Sequence, residues 1–493
     1  MIRLLAAAPI ALAVFIISLA LAAFAVRTGL IPDDGVMLWA AAIMAGEGEM
    51  SIGRLVAAYP TIPFIATTLV DVVAPAGTPI PALLAGSLLG VLAGLWFLSF
   101  RAIGLSLVIA GAITLLLVLH PTLLRAVVAG PADIFLVAFL YLFGVSLYDL
   151  RVRSGVPQVM GMSTALLGLT FSHPMGAAVA LSAMPFLIFA VQPVLVASSA
   201  LNVVLALVFP AIFAVGAFVY VSWVFPGSGW SFFAAPAESL SAWVAGMSAT
   251  GLTGIPTVEA GLAMAVALAL AAPLAPVAIG WVFRRRPLVA PAAVFAITVV
   301  AAAMMTVGTG FFGDPAALAV AGPILAAIVV VRVPIARERL AVVVPLVLLG
   351  WFGGALALTV IDPRTAGHAM ALLEGRGDRE RLDALTLGGA TIDRQGVLVD
   401  TFNAPTIVLG RGTARGLLAP SHETFTLSLL FARIDTPFVA VPNPRTVTGA
   451  QDRLNRAFPL LYRNGLPGYR LAYQNESWRL FERQSREGAA QLP

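Results

Sequence analysis

The chain has 493 residues, of which 60% are hydrophobic and only 11% charged. A soluble domain carries about 25% charged residues, so this composition excludes a soluble globular protein, a disordered chain and a fibrous repeat, and leaves a polytopic membrane protein. The net charge of +5 comes from 29 basic and 24 acidic residues, every basic one an arginine, and it reads as membrane topology, not as affinity for nucleic acid. Cysteine is absent, which removes disulfides, thiol catalysis and Cys-ligated metal sites.

A membrane-spanning helix needs about 20 apolar residues. That rule predicts eleven spans, at roughly 5–26, 80–99, 103–119, 133–149, 157–171, 174–191, 195–224, 258–283, 288–307, 315–333 and 340–360. The 195–224 run is long and holds Pro210, so it is tilted, kinked or split; the short 157–171 run is tilted or half-buried. Ala23-Phe24-Ala25 after Arg3 resembles a signal-peptidase site, but the apolar run is long for a signal sequence, and a retained helix is expected.

Arginine sets the orientation. Arg3, Arg101, Arg151, Arg153, Arg284–Arg286, Arg332, Arg337 and Arg339 all fall on one side of the span pattern, and that side is read as cytoplasmic. The expected placement is a multi-pass protein of a bacterial inner membrane, with a cytoplasmic N-terminus and a periplasmic tail. Residues 1–360 then form the membrane domain, with extracytoplasmic loops at 27–79 and 225–257. More than half of the charged residues lie beyond Ile361, so 361–493 reads as a separate water-facing domain.

Within the tail, Gly396–Asp400, Thr406–Leu409, Phe425–Phe431 and Pro437–Val441 read as strands. Tyr469–Tyr473 and Trp478–Phe481 flank a polar Gln474–Ser477 stretch and read as a hairpin, while Leu372–Leu387 and Gln451–Arg463 carry helical spacing. The tail is thus expected to be mixed α/β.

Polar residues cluster at the non-cytoplasmic ends of the spans. Asp33 and Asp34 open the first loop, ahead of an apolar stretch too short to span. Membrane-parallel helices are expected at about 35–46 and 51–58, and another from Pro63 to Val73. The acidic pair either caps the first of these helices or serves as a general base beside the lipid surface. Glu47 and Glu49 read as a solvated loop, and Tyr59 as a headgroup-level anchor. A second cluster joins His120, Arg125 and Asp133. Arg125 has the geometry to hold a phosphate oxygen, whereas His120 and Asp133 also fit plain helix-end roles. His173 sits in the reversal Ser172-His173-Pro174-Met175-Gly176, where a structural hydrogen bond is an equal alternative. His120, His173 and the Asp pair offer ligand types for a divalent metal, but nothing in their spacing demands one.

This order of features resembles the GT-C superfamily of integral-membrane glycosyltransferases, in which one span is followed by an acidic pair and a large loop of membrane-parallel helices. Here that pattern reads Asp33-Asp34-Gly35…Gly46-Glu47-Gly48…Tyr59-Pro60-Thr61-Ile62-Pro63, then His120-Pro121…Arg125…Gly130-Pro131-Ala132-Asp133, then Leu167–Pro174. The resemblance implies about eleven spans and an extracytoplasmic C-terminal α/β domain. It implies a polyprenyl-phosphate-linked sugar as donor and a lipid, glycan or protein hydroxyl as acceptor. Asp33 or Asp34 would be the catalytic base, and Arg125, His120, Asp133, His173 and Tyr59 would line the substrate site. Membrane lipids, and the other subunits of a larger membrane complex, are the remaining expected partners; nucleic acid is not.

Two competing classes remain. A transporter places its polar or broken-helix site near the midplane and often shows two similar halves, and neither is visible here. An inactive scaffold subunit of the same fold is opposed mainly by the Asp33-Asp34 pair. A third relative in chemistry, an O-antigen-ligase-like enzyme, keeps its large soluble part in a mid-chain loop, whereas here it is terminal.

Overall fold

Long apolar runs with few breakers become helices, and the computed structural model of the protein is mostly helical with one small C-terminal sheet. It describes residues 2–75, 78–153, 155–225, 286–309, 315–332, 340–361 and 378–484. The 225–257 loop apart from its first residue, the 258–283 run, and Arg284, Arg285, Arg337 and Arg339 lie outside the described residues. In chain order the first helices are α1 (Ile2–Arg27), α2 (Asp33–Gly46), α3 (Ile52–Val56), α4 (Thr61–Val73), α5 (Ile80–Ala102), α6 (Leu107–Val118), α7 (Pro121–Ala129) and α8 (Pro131–Val152). Then come α9 (Val156–Ser172), α10 (Pro174–Ala183), α11 (Leu187–Ala190), α12 (Pro193–Val224), α13 (Arg286–Thr309), α14 (Ala321–Arg332) and α15 (Leu340–Ile361).

Five described helices are long and apolar enough to cross a membrane, or six when a bent pair is taken as one span. The bent pair is α6 with α7, which meet at 58°. This differs from the expected span at 103–119 followed by a loop: α6 has only 12 residues, too few to cross alone, and Pro121 starts a new helix where its missing N–H costs nothing. The long α12 leaves helical geometry at Ser199 and not at Pro210. Nothing in the structure explains the choice of Ser199.

The described chain divides into two compact units. One comprises Met1–Ala23, Val56–Pro63 and Pro81–Leu373, and its core is a continuous apolar cluster that includes Trp96, Phe97, Phe100 and Phe143. At one end of this unit Arg332 on α14 pairs with Asp149 on α8 at 3.0 Å, and Arg151 donates to the Val191 carbonyl at 2.8 Å. The ends of α8, α11 and α14 therefore lie together.

The other unit comprises Phe24–Leu55, Phe64–Ile80 and Glu374–Pro493. Its tail elements are α16 (Arg379–Ala390), β1 (Val397–Leu398), α17 (Thr406–Arg411), β2 (Leu417–Leu418), α18 (Glu423–Leu430), β3 (Phe438–Pro442), α19 (Val447–Gln451), α20 (Arg453–Ala457), α21 (Leu461–Asn464), β4 (Tyr469–Gln474) and β5 (Trp478–Arg483). The strands order as β2-β1-β3-β5-β4; the first three are parallel and the last two run as an antiparallel hairpin. Alternation along the strands fills two layers. Val397, Val399, Ala440, Trp478 and Leu480 pack with Leu387 of α16 and Ile407 and Val408 of α17. Ala40, Ile43 and Met44 of α2 join that same core, so a helix of the first loop completes one layer of the tail's sheet. Leu398, Val439, Val441 and Phe481 pack on the other face with Phe425, Leu454 and Leu461.

Two tail segments expected as strands are helices. Thr406–Arg411 begins after Pro405, whose φ of −62° suits a helix start, and ends at left-handed Gly412. Glu423–Leu430 alternates polar and apolar residues like a strand, but its buried positions, Phe425 and Ser428, are three apart. The expected helix at Gln451–Arg463 is interrupted, because Pro459 removes a ladder donor and restricts Phe458. Of the expected helix at Leu372–Leu387, residues 372–377 lie outside the described residues, Asp378 is the cap of α16 and the rest falls in α16.

Candidate functional site

Three of the residues singled out in the sequence meet in the helical unit. Asp133 lies in the first turn of α8, where the helix dipole favours a carboxylate. Its Oδ2 accepts from Arg125 Nη1 at 2.5 Å, and its Oδ1 lies 3.1 Å from His173 Nε2. All three side chains are nearly buried, at 10–12% exposure. His173 occupies the reversal between α9 and α10, and its Nδ1 accepts from the backbone N–H of Met175 at 3.0 Å. A backbone amide only donates, so Nδ1 carries the lone pair and Nε2–H donates to Asp133. The reversal is tight because Gly176 has no side chain: a Cβ there would lie 2.1 Å from the Leu169 carbonyl oxygen. Arg125 is thereby oriented by a carboxylate that is itself oriented by His173.

Tyr59 lies near the same end of α9. Its hydroxyl donates to the Thr170 carbonyl at 3.0 Å, and its ring packs 6.3 Å from Phe218, which in turn meets Phe171. His120 is fully buried and works elsewhere. Its Nδ1 accepts the Thr122 N–H at 3.3 Å and caps α7, while Nε2 donates to the Gly350 carbonyl of α15 at 3.2 Å.

Asp33 and Asp34 are the first two residues of α2, in the unit that holds the tail. Pro32 occupies the cap position and no side chain caps the helix, so the pair sits in the first turn instead. Both are exposed. Asp33 Oδ1 accepts from Nη2 of Arg381, a residue of α16.

Other polar contacts escaped the sequence reading. Glu47 is no solvated loop residue: its carboxylate accepts from Thr413 Oγ1 at 2.6 Å and from the Ala414 and Arg415 amides at 2.6 and 3.2 Å. Glu49 meets His422 at 2.9 Å. The partners of Glu47 lie 366–368 residues away, beyond any local signal. In the tail, Asp400 is buried and accepts from Asn403 and from the Arg453 amide. Burial, reinforced by Asp400 and opposed by the Asn455 and Leu454 amides and by Arg456, pushes the neighbouring Asp452 carboxyl up to about 7. Among the described residues no group of three or more His, Asp or Glu converges as a metal site. Comparison of the chain with protein-family models, curated proteins and solved structures finds no match.

Proposed function

We propose that the protein is a membrane glycosyltransferase that moves a sugar from a polyprenyl-phosphate donor to a lipid, glycan or protein hydroxyl on the extracytoplasmic face. The observation that carries the reading is the buried Arg125–Asp133–His173 cluster in a unit built almost entirely of apolar residues. Ionisable groups this buried among apolar side chains are costly, and in membrane proteins they commonly mark functional sites. A guanidinium has five N–H donors in a planar fork, so Arg125 has the valence to hold Asp133 and a lipid phosphate together. In the proposed reaction Asp33 or Asp34 takes the proton of the acceptor hydroxyl. The hydroxyl oxygen bonds to the sugar C1 as the C1–O bond to phosphate breaks, and the lipid phosphate leaves with the bonding electrons.

The proposed topology has eleven spans, with the tail on the side opposite the arginines. It is supported by the meeting of the ends of α8, α11 and α14, which the arginine pattern assigns to one side.

A second reading, an inactive scaffold subunit, is favoured by the same contacts, since Asp133 uses both oxygens within the protein and Asp33 is ion-paired. The deciding experiment is the glycolipid and glycan profile of cells carrying Asp33→Asn with Asp34→Asn at normal protein level. A general base contributes about 10²–10⁴-fold, so the product should fall by that order. Arg125→Ala should weaken donor binding. An unchanged profile in the double variant would overturn the glycosyltransferase reading in favour of the scaffold.

A further inference from the structure

We infer that Arg381 is a positioning residue that holds Asp33 for the transfer, so that the tail domain completes the acidic site of the first loop; this rests on the glycosyltransferase reading above. The guanidinium is fixed on every side. Nη2 donates to Asp33, Nη1 donates to the Gly29 carbonyl at 3.3 Å, and Nε lies 3.4 Å from Asp378 Oδ2. Asp378 also caps α16, accepting the Arg381 amide at 3.2 Å, so one carboxylate fixes both the helix start and the side chain.

The backbones close over this point. The Asp378 amide donates to the Thr28 carbonyl at 3.1 Å. Gly29 has a φ of +72°, and a Cβ there would lie 3.0 Å from the Asp378 oxygen. Only glycine permits that approach without strain. The exposures separate the roles. The Arg381 side chain is 17% exposed and that of Asp33 is 72% exposed. A shielded cation thus grips an accessible carboxylate by one oxygen. Beside it, Val36, Trp39, Leu385 and Leu409 wall a small apolar cavity that also touches Arg381. A fixed guanidinium sets the direction of the second carboxylate oxygen, and a misplacement of about 1 Å in such a group costs on the order of 100-fold.

The test uses isolated membranes containing the full-length protein, supplemented with graded amounts of the lipid-linked donors extracted from the same membranes, and assayed for transferred sugar. Arg381→Ala should cut transfer on the order of 10–100-fold. The loss should fall on the maximal rate and not on the amount of donor that gives half-maximal transfer, because the carboxylate is misplaced while donor binding is untouched. Arg381→Lys keeps the charge without the fork and should recover only part of the rate. Combined with Asp33→Asn, Arg381→Ala should cause no further loss. Wild-type transfer by Arg381→Ala, a loss confined to the half-maximal donor amount, or an equal loss in the Asp33→Asn background overturns the inference. So does loss in Asp34→Asn with none in Asp33→Asn. If Arg381→Ala fails to accumulate, the maximal rate and donor dependence of Arg381→Lys decide in its place. Unchanged transfer when both aspartates are replaced defeats the glycosyltransferase reading itself, a separate outcome.

Discussion

Two buried carboxylates, Asp133 and Asp452, lie in opposite electrostatic situations. Asp133 is flanked by an arginine and a histidine N–H, and both oxygens are satisfied. Asp452 has another carboxylate, Asp400, beside it, and burial lifts its pKa to about 7. The pH dependence follows from that difference. Between the unfolded value near 3.8 and the folded value of about 7, the folded tail keeps a proton that the unfolded chain has lost. Stability contributed at Asp452 is therefore full below that window and declines as pH rises through it, by at most about 4 kcal/mol. Hydrogen exchange of Arg453–Ala457, corrected for its intrinsic rate, should quicken from pH 4 to 7 in the native protein. Asp452→Asn, which keeps a capping oxygen without the charge, should flatten that trend. An equal slope in both proteins would show that Asp452 does not titrate in this range.

At the scale of elements, α2 behaves as part of the α/β unit. Ala40, Ile43 and Met44 cover the same sheet face as Leu387, Ile407 and Val408, and Glu47 at the end of the helix clasps Thr413 and Ala414. A fragment of residues 374–493 should therefore lack a cooperative thermal transition by circular dichroism, and fusion to residues 24–55 should restore it. A sharp, unchanged transition for 374–493 alone would remove α2 from the fold's requirements. The sequence made the helix itself legible, because a short apolar run with Asp33 and Asp34 at its start has a helical beginning and too little length to span. It also showed the β4–β5 hairpin, through the polar Gln474–Ser477 break. Its partners were not legible. Periodicity reports which face of a helix is apolar, not what covers it, and the contacts of Glu47 and Asp33 lie hundreds of residues away. For the same reason Arg381 reads in sequence as one more charge on a polar helix. Thr406–Arg411 misled in another way, since Ile407 and Val408 are buried against the sheet from a helix and give a strand-like apolar run.

At the scale of the whole molecule, the proposed topology rests on arginine placement, which in membrane proteins biases the side a loop takes. Reporter fusions after Arg286 and after Pro493 should fall in opposite compartments. The same compartment for both would refute the eleven-span count. His120 shows what the sequence leaves open even where it marks a residue well. Its position at a helix end was legible, but its second contact, the Gly350 carbonyl, depends on which helix packs alongside.

The shared core of α2 and the tail has a consequence for biogenesis. Met44 leaves the ribosome well before Leu387, Trp478 and Leu480, with which it packs. At about 5–20 residues per second the delay is on the order of 20–90 s. Through that interval Ala40, Ile43 and Met44 present an apolar stripe with no sheet to cover it. The nascent first loop is then a natural client for a chaperone or for the lipid surface, and a ribosome stalled before β5 leaves that client unreleased.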